Sequence, residues 1–294
     1  LCFKYIRKTF SRFLTYLKHN WGQILIVVAL LILAVGVLYP LFVLIIRSFK
    51  LSRDDLADPF AISARFTFDN YQVAWASIKD AFINSLVTSI GVTVGTMILA
   101  SLLAFAFIRF NFPLKKVLFY AIIALMMIPG ILTLISRYRL ALDMGLVGSL
   151  WGIILPGMAG YVPAAFMLLF TFFSGIPHDL FDAADVDGAN DLRVYYHIVL
   201  PLSKPILSTI AIQTFVGEWN DYLWAKLIIG KNEAINTLPV FLTSFSTTYA
   251  DPNSFLGMGV PFAGYVLSAI PLVLIFIVAS KQFIEGLTSG AFKM

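Results

Sequence analysis

Ser174-Gly-Ile-Pro-His-Asp-Leu-Phe-Asp-Ala-Ala-Asp-Val-Asp-Gly-Ala-Asn-Asp-Leu-Arg-Val-Tyr-Tyr-His-Ile-Val-Leu-Pro-Leu-Ser203 is the most charge-rich stretch in the second half of the chain, and long apolar runs flank it on both sides. Its residues predict two short helices joined by a turn. Pro177 suits a helix start, where its missing N–H costs nothing. Asp179, Asp182 and Asp185 place acid toward the positive end of the helix dipole. Gly188 ends a helix easily, Asn190 or Asp191 can cap a second one, and Leu200-Pro201 stops it. A polar helical hairpin between two apolar runs reads locally as an amphipathic connector in a membrane protein.

Composition agrees. The chain has 294 residues, of which 60% are hydrophobic and 13% charged, with a mean hydropathy of +0.88. A soluble domain of this length carries about twice that charge fraction. The net charge of +5 reflects lysines and arginines near the apolar runs; no basic stripe interleaved with aromatics marks a nucleic-acid surface. A single cysteine, Cys2, cannot form an internal disulfide. The first apolar run is too long for a signal peptide and lacks a small-residue cleavage site.

Six spans are predicted. Residues 1–23, with Lys4, Arg7, Lys8, Arg12 and Lys18 among aromatics, suit a helix lying on the inner leaflet, or a solvated basic tail. Ile24 to Ile46 reaches about 34 Å as a helix, enough for a hydrocarbon core of about 30 Å. The basic tail before it stays inside, so this span runs outward. Residues 51–80 are polar and predict an outer loop with short helices. Ala81 to Ile108 is the second span, with Gly91-Val-Thr-Val-Gly95 as a close-packing pattern. Residues 109–116 form a short basic inner turn. The third span, 117–135, is interrupted by Pro129-Gly130, and 136–149 is an outer connector. The fourth, 150–173, carries Pro156 and Pro163. The fifth and sixth are 205–229 and 261–284, separated by an outer segment, and the chain ends inside at 285–294. The organisation is thus a short segment at 1–23 followed by one six-helix membrane domain over 24–294.

In the fifth span Gln213, Gly217, Asn220, Asp221 and Trp224 recur at helical spacing, with Glu218 and Trp219 beside them. Ionisable groups at membrane depth are costly and face a cavity or a partner. Two readings stand side by side. Gln213, Glu218, Trp219, Asn220 and Asp221 line a substrate path, where aromatic faces suit sugar rings and amides and carboxylates suit hydroxyls. Alternatively, Glu218 and Asp221 bond to neighbouring helices and fix the core. No Gly-x4-Gly-Lys-Ser/Thr motif, His-Glu-x-x-His, cysteine cluster or Gly-x-Ser-x-Gly occurs in the chain. Nucleotide hydrolysis by phosphate-loop chemistry, a metal site and an enzymatic nucleophile are therefore not expected.

The spacing Asp182-Ala183-Ala184, then Gly188, then Ile198-Val199-Leu200-Pro201 resembles the EAA loop of the membrane subunits of ABC importers, Glu-Ala-Ala, three residues, Gly, nine residues, Ile-x-Leu-Pro. Only the first residue departs, Asp for Glu, which shortens its reach by a methylene. The chain as a whole resembles the MalG-type permease subunits of carbohydrate ABC importers. Thr67-x-x-Asn70-Tyr71, Trp219-Asn220-Asp221-Tyr222 and the ending Gly286-Leu287-Thr288-Ser289-Gly290 add to the likeness.

The resemblance implies an all-α integral membrane fold of the type I ABC importer permease class, with six transmembrane helices and a cytoplasmic coupling loop. It implies that Asp182, Ala183, Ala184, Asp187, Gly188, Ile198, Leu200 and Pro201 form the dock for a separate ATPase. It implies that Gly286, Leu287, Thr288 and Gly290 reach the interface of two ATPase subunits. The partners it implies are a MalF-type permease, two cytoplasmic ATPases that bind ATP and magnesium in place of any cofactor on this chain, an external solute-binding protein, and membrane lipid. The location implied is the bacterial inner membrane with both termini cytoplasmic. An importer of another solute shares the coupling loop, and a secondary carrier or a membrane-embedded enzyme is the alternative from another class. Without the resemblance, residues 174–203 read as an amphipathic connector.

Overall fold

Helix α2 runs from Asp69 to Arg109, 41 residues, and four other helices lie against it. The structure is a computed structural model. It describes residues 21–51, 54, 58, 65–249 and 257–291, with Ile24 and residues 278–291 described by backbone alone. Among the described residues all regular structure is helical. The order is α1 (Trp21–Ser48), α2, α3 (Lys115–Met127), α4 (Leu134–Asp143), α5 (Trp151–Phe173), α6 (His178–Val186), α7 (Asp191–Val194), a π-helical turn (Tyr195–Val199), α8 (Leu200–Leu202), α9 (Lys204–Trp219), α10 (Leu223–Ile229), a 3-10 turn (Glu233–Ile235), α11 (Leu238–Thr248) and α12 (Gly259–Ala291).

α2 buries small side chains along its length, among them Ser85, Thr88, Ser89, Thr93, Thr96, Ala100, Ser101 and Ala104. Small residues let backbones approach where lipid supplies no hydrophobic drive. α5 makes the most extensive contact, and the Gly91/Gly95 pattern faces it. A Cβ on Gly91 would lie 3.2 Å from Ile154 Cδ1, and one on Gly95 would run into the Met158 side chain. α9, α11 and α12 pack on the remaining sides of α2.

Four helical segments are long and apolar enough to cross a bilayer: α1, α2, α5 and Gly259–Ile277 of α12. A fifth joins them if 191–202 and 204–219, bent by 77°, are one span. Three expectations are corrected. At about 1.5 Å per residue α2 is about 60 Å long, twice the hydrocarbon thickness. Residues 69–80 of the expected outer loop are therefore not a separate short helix but the polar start of the same helix as the second span. The expected third span, 117–135, stops at Met127. α3 has 13 residues, about 20 Å, and the chain turns at Pro129-Gly130 before resuming as α4. The expected outer connector 136–149 is largely that helix, which packs on α10. By contrast, α5 is continuous through Pro156 and Pro163.

The start of α2 is tied to the end of α1. Asn70 Nδ2 donates to the carbonyls of Ser48 at 2.9 Å and Lys50 at 2.8 Å. The Thr67 N–H donates to Phe49 O at 2.9 Å, and the Tyr71 and Ser48 hydroxyls lie 2.6 Å apart. Three carbonyls left over at a helix C-terminus are thereby satisfied, which gives Thr67-x-x-Asn70-Tyr71 a structural purpose. α1 otherwise leaves its apolar surface open, and its extensive contact is with α12.

α12 continues as helix to Ala291, so the backbone at Gly286, Leu287, Thr288 and Gly290 is helical. Their side chains, residues 292–294 and the basic segment at 1–20 lie outside the described residues.

Asn70 is fully buried. Asn70→Ala leaves two buried carbonyls unpaired and is expected to cost about 1–3 kcal/mol. Thermal unfolding of the detergent-solubilised protein, followed by tryptophan fluorescence, measures it; an unchanged midpoint would contradict the pinning role.

Candidate functional site

Between α5 and α9 the chain leaves the bundle as a knuckle. α6 turns Phe181 and Ala184 inward, one helical turn apart. They join a core that includes Phe105, Phe107, Phe173, Val194 and Tyr195. Its other face is open: Asp182, Ala183, Asp185, Val186 and Asp187 are exposed, Val186 at 88%. The sequence placed both alanines on one docking surface. Adjacent residues on a helix point about 100° apart, and only Ala183 faces outward.

Gly188 ends α6 at φ +70°, a conformation that glycine adopts freely. The Ala189 N–H donates to Ala184 O at 2.9 Å and the Gly188 N–H to Asp185 O at 3.1 Å, the bond pair of a Schellman cap. Asn190, not Asp191, caps α7, accepting from the Arg193 N–H at 2.8 Å. Leu200-Pro201 does not stop the second arm. The helix passes through the π turn at Tyr195–Val199 and bends at Ser203, which donates its hydroxyl to Val199 O at 2.6 Å. Ile198 and Leu200 are half-buried against the inner core, whereas Pro201 is exposed. His197 is exposed with Nδ1 3.1 Å from Arg193 O.

One residue that sequence reasoning counted only as an inner charge holds the knuckle in place. Arg109, the last residue of α2, grips Asp185 with both terminal nitrogens, Nη1 at 3.1 Å from Oδ2 and Nη2 on Oδ1. Its Nε donates to Asp191 Oδ1 at 2.7 Å. The guanidinium hydrogen-bonded to Asp185 holds that carboxyl below the ordinary carboxylate range. Above this clamp, Tyr195 lies against Phe105 with ring centroids 5.3 Å apart, and its hydroxyl is 2.7 Å from Ser101 Oγ.

The polar stripe of the expected fifth span lies not halfway along a helix but at a break. α9 ends at Trp219 and α10 starts at Leu223. Asn220 Nδ2 donates to Val216 O at 2.8 Å. The stripe also divides in two. Gln213 and Asn220, two turns apart, are exposed on one face. Glu218, 7% exposed, turns toward α5, where a Cβ on Gly157 would lie 3.1 Å from Oε2. Trp219 stacks on Phe215 at 5.7 Å and meets Phe82 edge-on at 5.5 Å, so its faces are taken.

Trp224 has a different task. Pro156 has no N–H to offer the Gly152 carbonyl one turn back. The buried Trp224 Nε1 supplies that bond at 3.0 Å. Arg137 of α4 lies over the Trp224 ring, 4.6 Å from its centroid, and donates to Pro156 O at 3.3 Å. It stands within electrostatic reach of Glu218 and Asp221. No spacing in the sequence joins residue 137 to residues 218–224, and α4 was read as a connector. Arg137 and Thr133 also face a cavity of about 700 Å³ between α3, α4 and α5, whose walls include Leu125, Ile128, Gly160 and Pro163. A mostly apolar cavity with a few polar groups suits a small-molecule ligand.

Comparison with known proteins places this arrangement. Residues 91–288 match the family described as binding-protein-dependent transport system inner membrane component. The chain belongs to this family. Residues 91–288 take in the second part of α2 from Gly91, the knuckle, the polar break and the cavity. The diacetylchitobiose uptake system permease NgcG of Streptomyces coelicolor is 30% identical over 271 residues, covering 90% of this chain and 87% of its own. The melibiose/raffinose/stachyose import permease MelC of Bacillus subtilis is 32% identical, covering 86% and 91%. A bacterial ABC transporter that imports the acidic polysaccharide alginate superposes with a TM-score of 0.77 at 23% identity, over 90% of this chain and 98% of its own, and shares the fold. The fold is thus that of an ABC importer permease, and the chain is an integral membrane permease component.

The two alanines of the knuckle separate in a test. Ala184→Arg forces a charge into the inner core and is expected to cost about 3 kcal/mol or more, against about 0.5 kcal/mol or less for exposed Ala183→Arg. Hydrogen exchange of the amides at 178–194 measures both. Equal protection in the two variants would contradict the orientation of α6.

Proposed function

We propose that this chain is one of two permease subunits of an ATP-driven importer of oligosaccharides, and that its knuckle docks on a cytoplasmic ATPase. The observation that carries the reading is the two-faced knuckle. Its base is sealed into the core by Phe181 and Ala184, while Asp182, Ala183, Val186 and Asp187 remain open at its tip. An apolar tip with little bulk at Ala183 and acid on either side suits a cleft rimmed by arginine or lysine. Ile198, Leu200 and Pro201 complete the coupling loop at the root of the knuckle in this reading.

Orientation follows from the dock. The knuckle, the basic turn at 109–116 and the basic segment at 1–20 lie on the cytoplasmic side, and Gly286, Leu287, Thr288 and Gly290 approach the ATPase pair from the same side. A second, MalF-type permease covers the open faces of α1 and α3, and a solute-binding protein delivers the sugar from the opposite side. ATP and magnesium are bound by the ATPase; this chain holds no cofactor. ATP closes the ATPase dimer, the knuckles follow, and the spans re-orient to open the path outward.

Relatives named for diacetylchitobiose and for melibiose, raffinose and stachyose support an oligosaccharide substrate. In the substrate path, Gln213 and Asn220 present amides on the open side of α9 and α10 toward the second permease, and exposed Tyr222 offers an aromatic face. Glu218, Trp219 and Asp221 shape the break behind them.

The complex purified with its ATPase and binding protein, reconstituted in liposomes, tests this. Uptake of radiolabelled oligosaccharide is expected to require internal ATP. Gln213→Ala with Asn220→Ala is expected to lower uptake about tenfold, equivalent to about 1.4 kcal/mol, without loss of assembly. Uptake without ATP, or purification without an ATPase, would overturn the coupling; full uptake by the double variant would remove this face from the path.

A further inference from the structure

The Arg109 clamp does more than hold a loop. We propose that Arg109 is a strut that welds both arms of the knuckle to the end of α2, so that displacement of the knuckle moves α2 instead of bending the turn at Gly188. The inference rests on the coupling reading above and names the positioning residue through which the coupling passes.

α2 ends at Arg109, and the chain leaves Phe110 in an extended conformation, so the guanidinium is the last rigid point of the longest helix. Asp185 lies in the last turn of α6 and Asp191 opens α7, on either side of Gly188. Three N–H groups of one planar group therefore tie two helices that meet at a glycine. A lysine cannot do this, because its ammonium has no fixed fork.

The need for the tie is visible in what surrounds it. α6 has no extensive packing with any other helix, and around Gly188 a Cβ would meet nothing within 4 Å. The second arm is differently placed. Tyr195 is buried against α2 through Phe105 and Ser101, so α7 and the π turn have their own seat. The first arm carries the exposed tip and depends on Phe181, Ala184 and the clamp. A load applied at Val186 without the clamp tilts α6 about Gly188; with it, the load passes through Asp185 into α2, and from α2 into α5, α9 and α12. Arg109 is 21% exposed, and Asp185 and Asp191 are 46% and 43% exposed, so the clamp is reachable by solvent and can be exchanged by mutation without burying a lone charge.

The experiment uses the complete complex in liposomes, with Arg109→Gln, with Asp185→Asn plus Asp191→Asn, and with the swapped pair Arg109→Asp plus Asp185→Arg. Two readouts are taken: oligosaccharide molecules imported per ATP hydrolysed by the unlabelled complex, and the distance distribution between spin labels at Asn111 and Leu180, which is exposed on α6 away from the docking tip, in a Cys2→Ser background. Arg109→Gln is expected to lower the import-to-hydrolysis ratio about tenfold, the loss of charge-assisted bonds being large enough for that, and to broaden the label distance. The swapped pair is expected to narrow the distance again and recover part of the ratio, which a residue needed only for folding would not do.

A parental ratio in Arg109→Gln, or a lowered ratio with an unchanged distance distribution, overturns the strut. If Arg109→Gln does not assemble, the double carboxamide variant, which keeps the arginine, decides by the same two outcomes. A parent complex whose uptake ignores ATP would overturn the coupling reading instead, and the label distances would still report whether the clamp holds the knuckle.

Discussion

Helices in lipid have no solvent-driven reason to associate, because the surrounding chains are as apolar as their own side chains. α2 meets that constraint with size. Its serines, threonines and alanines bring the backbones of α5, α9 and α12 close enough to pack, and hydroxyls such as Ser101 return a hydrogen bond to the preceding turn at Met97 O, 2.6 Å away. The rest is hung on this helix. At one end Asn70 and Thr67 finish the unpaired carbonyls of α1; at the other Arg109 finishes the knuckle. On its flank Asn84 donates to Ala234 O and Asn236 O, both at 3.0 Å, and Ser85 accepts the Leu238 N–H at 2.7 Å. The segment between α10 and α11 is fastened in the same way.

Apolar runs were legible because a bilayer sets a length that a run either reaches or does not. Ile24–Ile46, Ala81–Ile108, 150–173 and 261–284 each mark a helix for that reason. Runs fail as a guide where the chain breaks inside them. Residues 117–135 are apolar throughout, yet Pro129-Gly130 ends the helix early and α4 turns back to meet α10. The break at 220–222 carries neither proline nor glycine. It forms because Asn220 and Asp221 bond to local backbone, Asp221 Oδ1 accepting the Trp224 N–H at 3.4 Å, and such side chains compete with helix wherever tertiary packing permits. Hydropathy also split Asp69–Asp80 from the second span, with which it forms one helix.

The knuckle shows the same division. Spacing placed Gly188 at the turn and narrowed the second cap to Asn190 or Asp191, since both are demands of local backbone geometry. The roles of individual side chains depended on what lies across the gap. Ala183 and Ala184 are indistinguishable as letters and opposite in the fold. Arg109 looked like one more inner charge until Asp185 and Asp191 arrived from residues far along the chain. Trp224 looked like part of a sugar-binding stripe, and its indole N–H is instead spent on the carbonyl that Pro156 leaves unpaired. Contacts of long sequence separation leave no periodic trace.

The geometry of α9 joins the two regions. It has 16 residues, about 24 Å of rod, with the 77° bend below it toward the knuckle and the break at 220–222 above. The rod lies on α2 and α12 along its length. On the proposed function, a pull on the knuckle reaches α2 through Arg109 and reaches α9 directly through the bend at Ser203. Two helices packed on each other are thus driven from one end by the same body. A rigid rod pivoted at its lower end moves most at its upper end, and that is where Asn220, Asp221 and the neighbouring Arg137 lie. Placing Asn220 at the far end of the rod puts the largest displacement at one of the two amides that would meet the sugar. The knuckle itself moves as one unit because the Arg109 clamp spans the turn that the Schellman cap at Gly188 and the Asn190 side-chain cap shape.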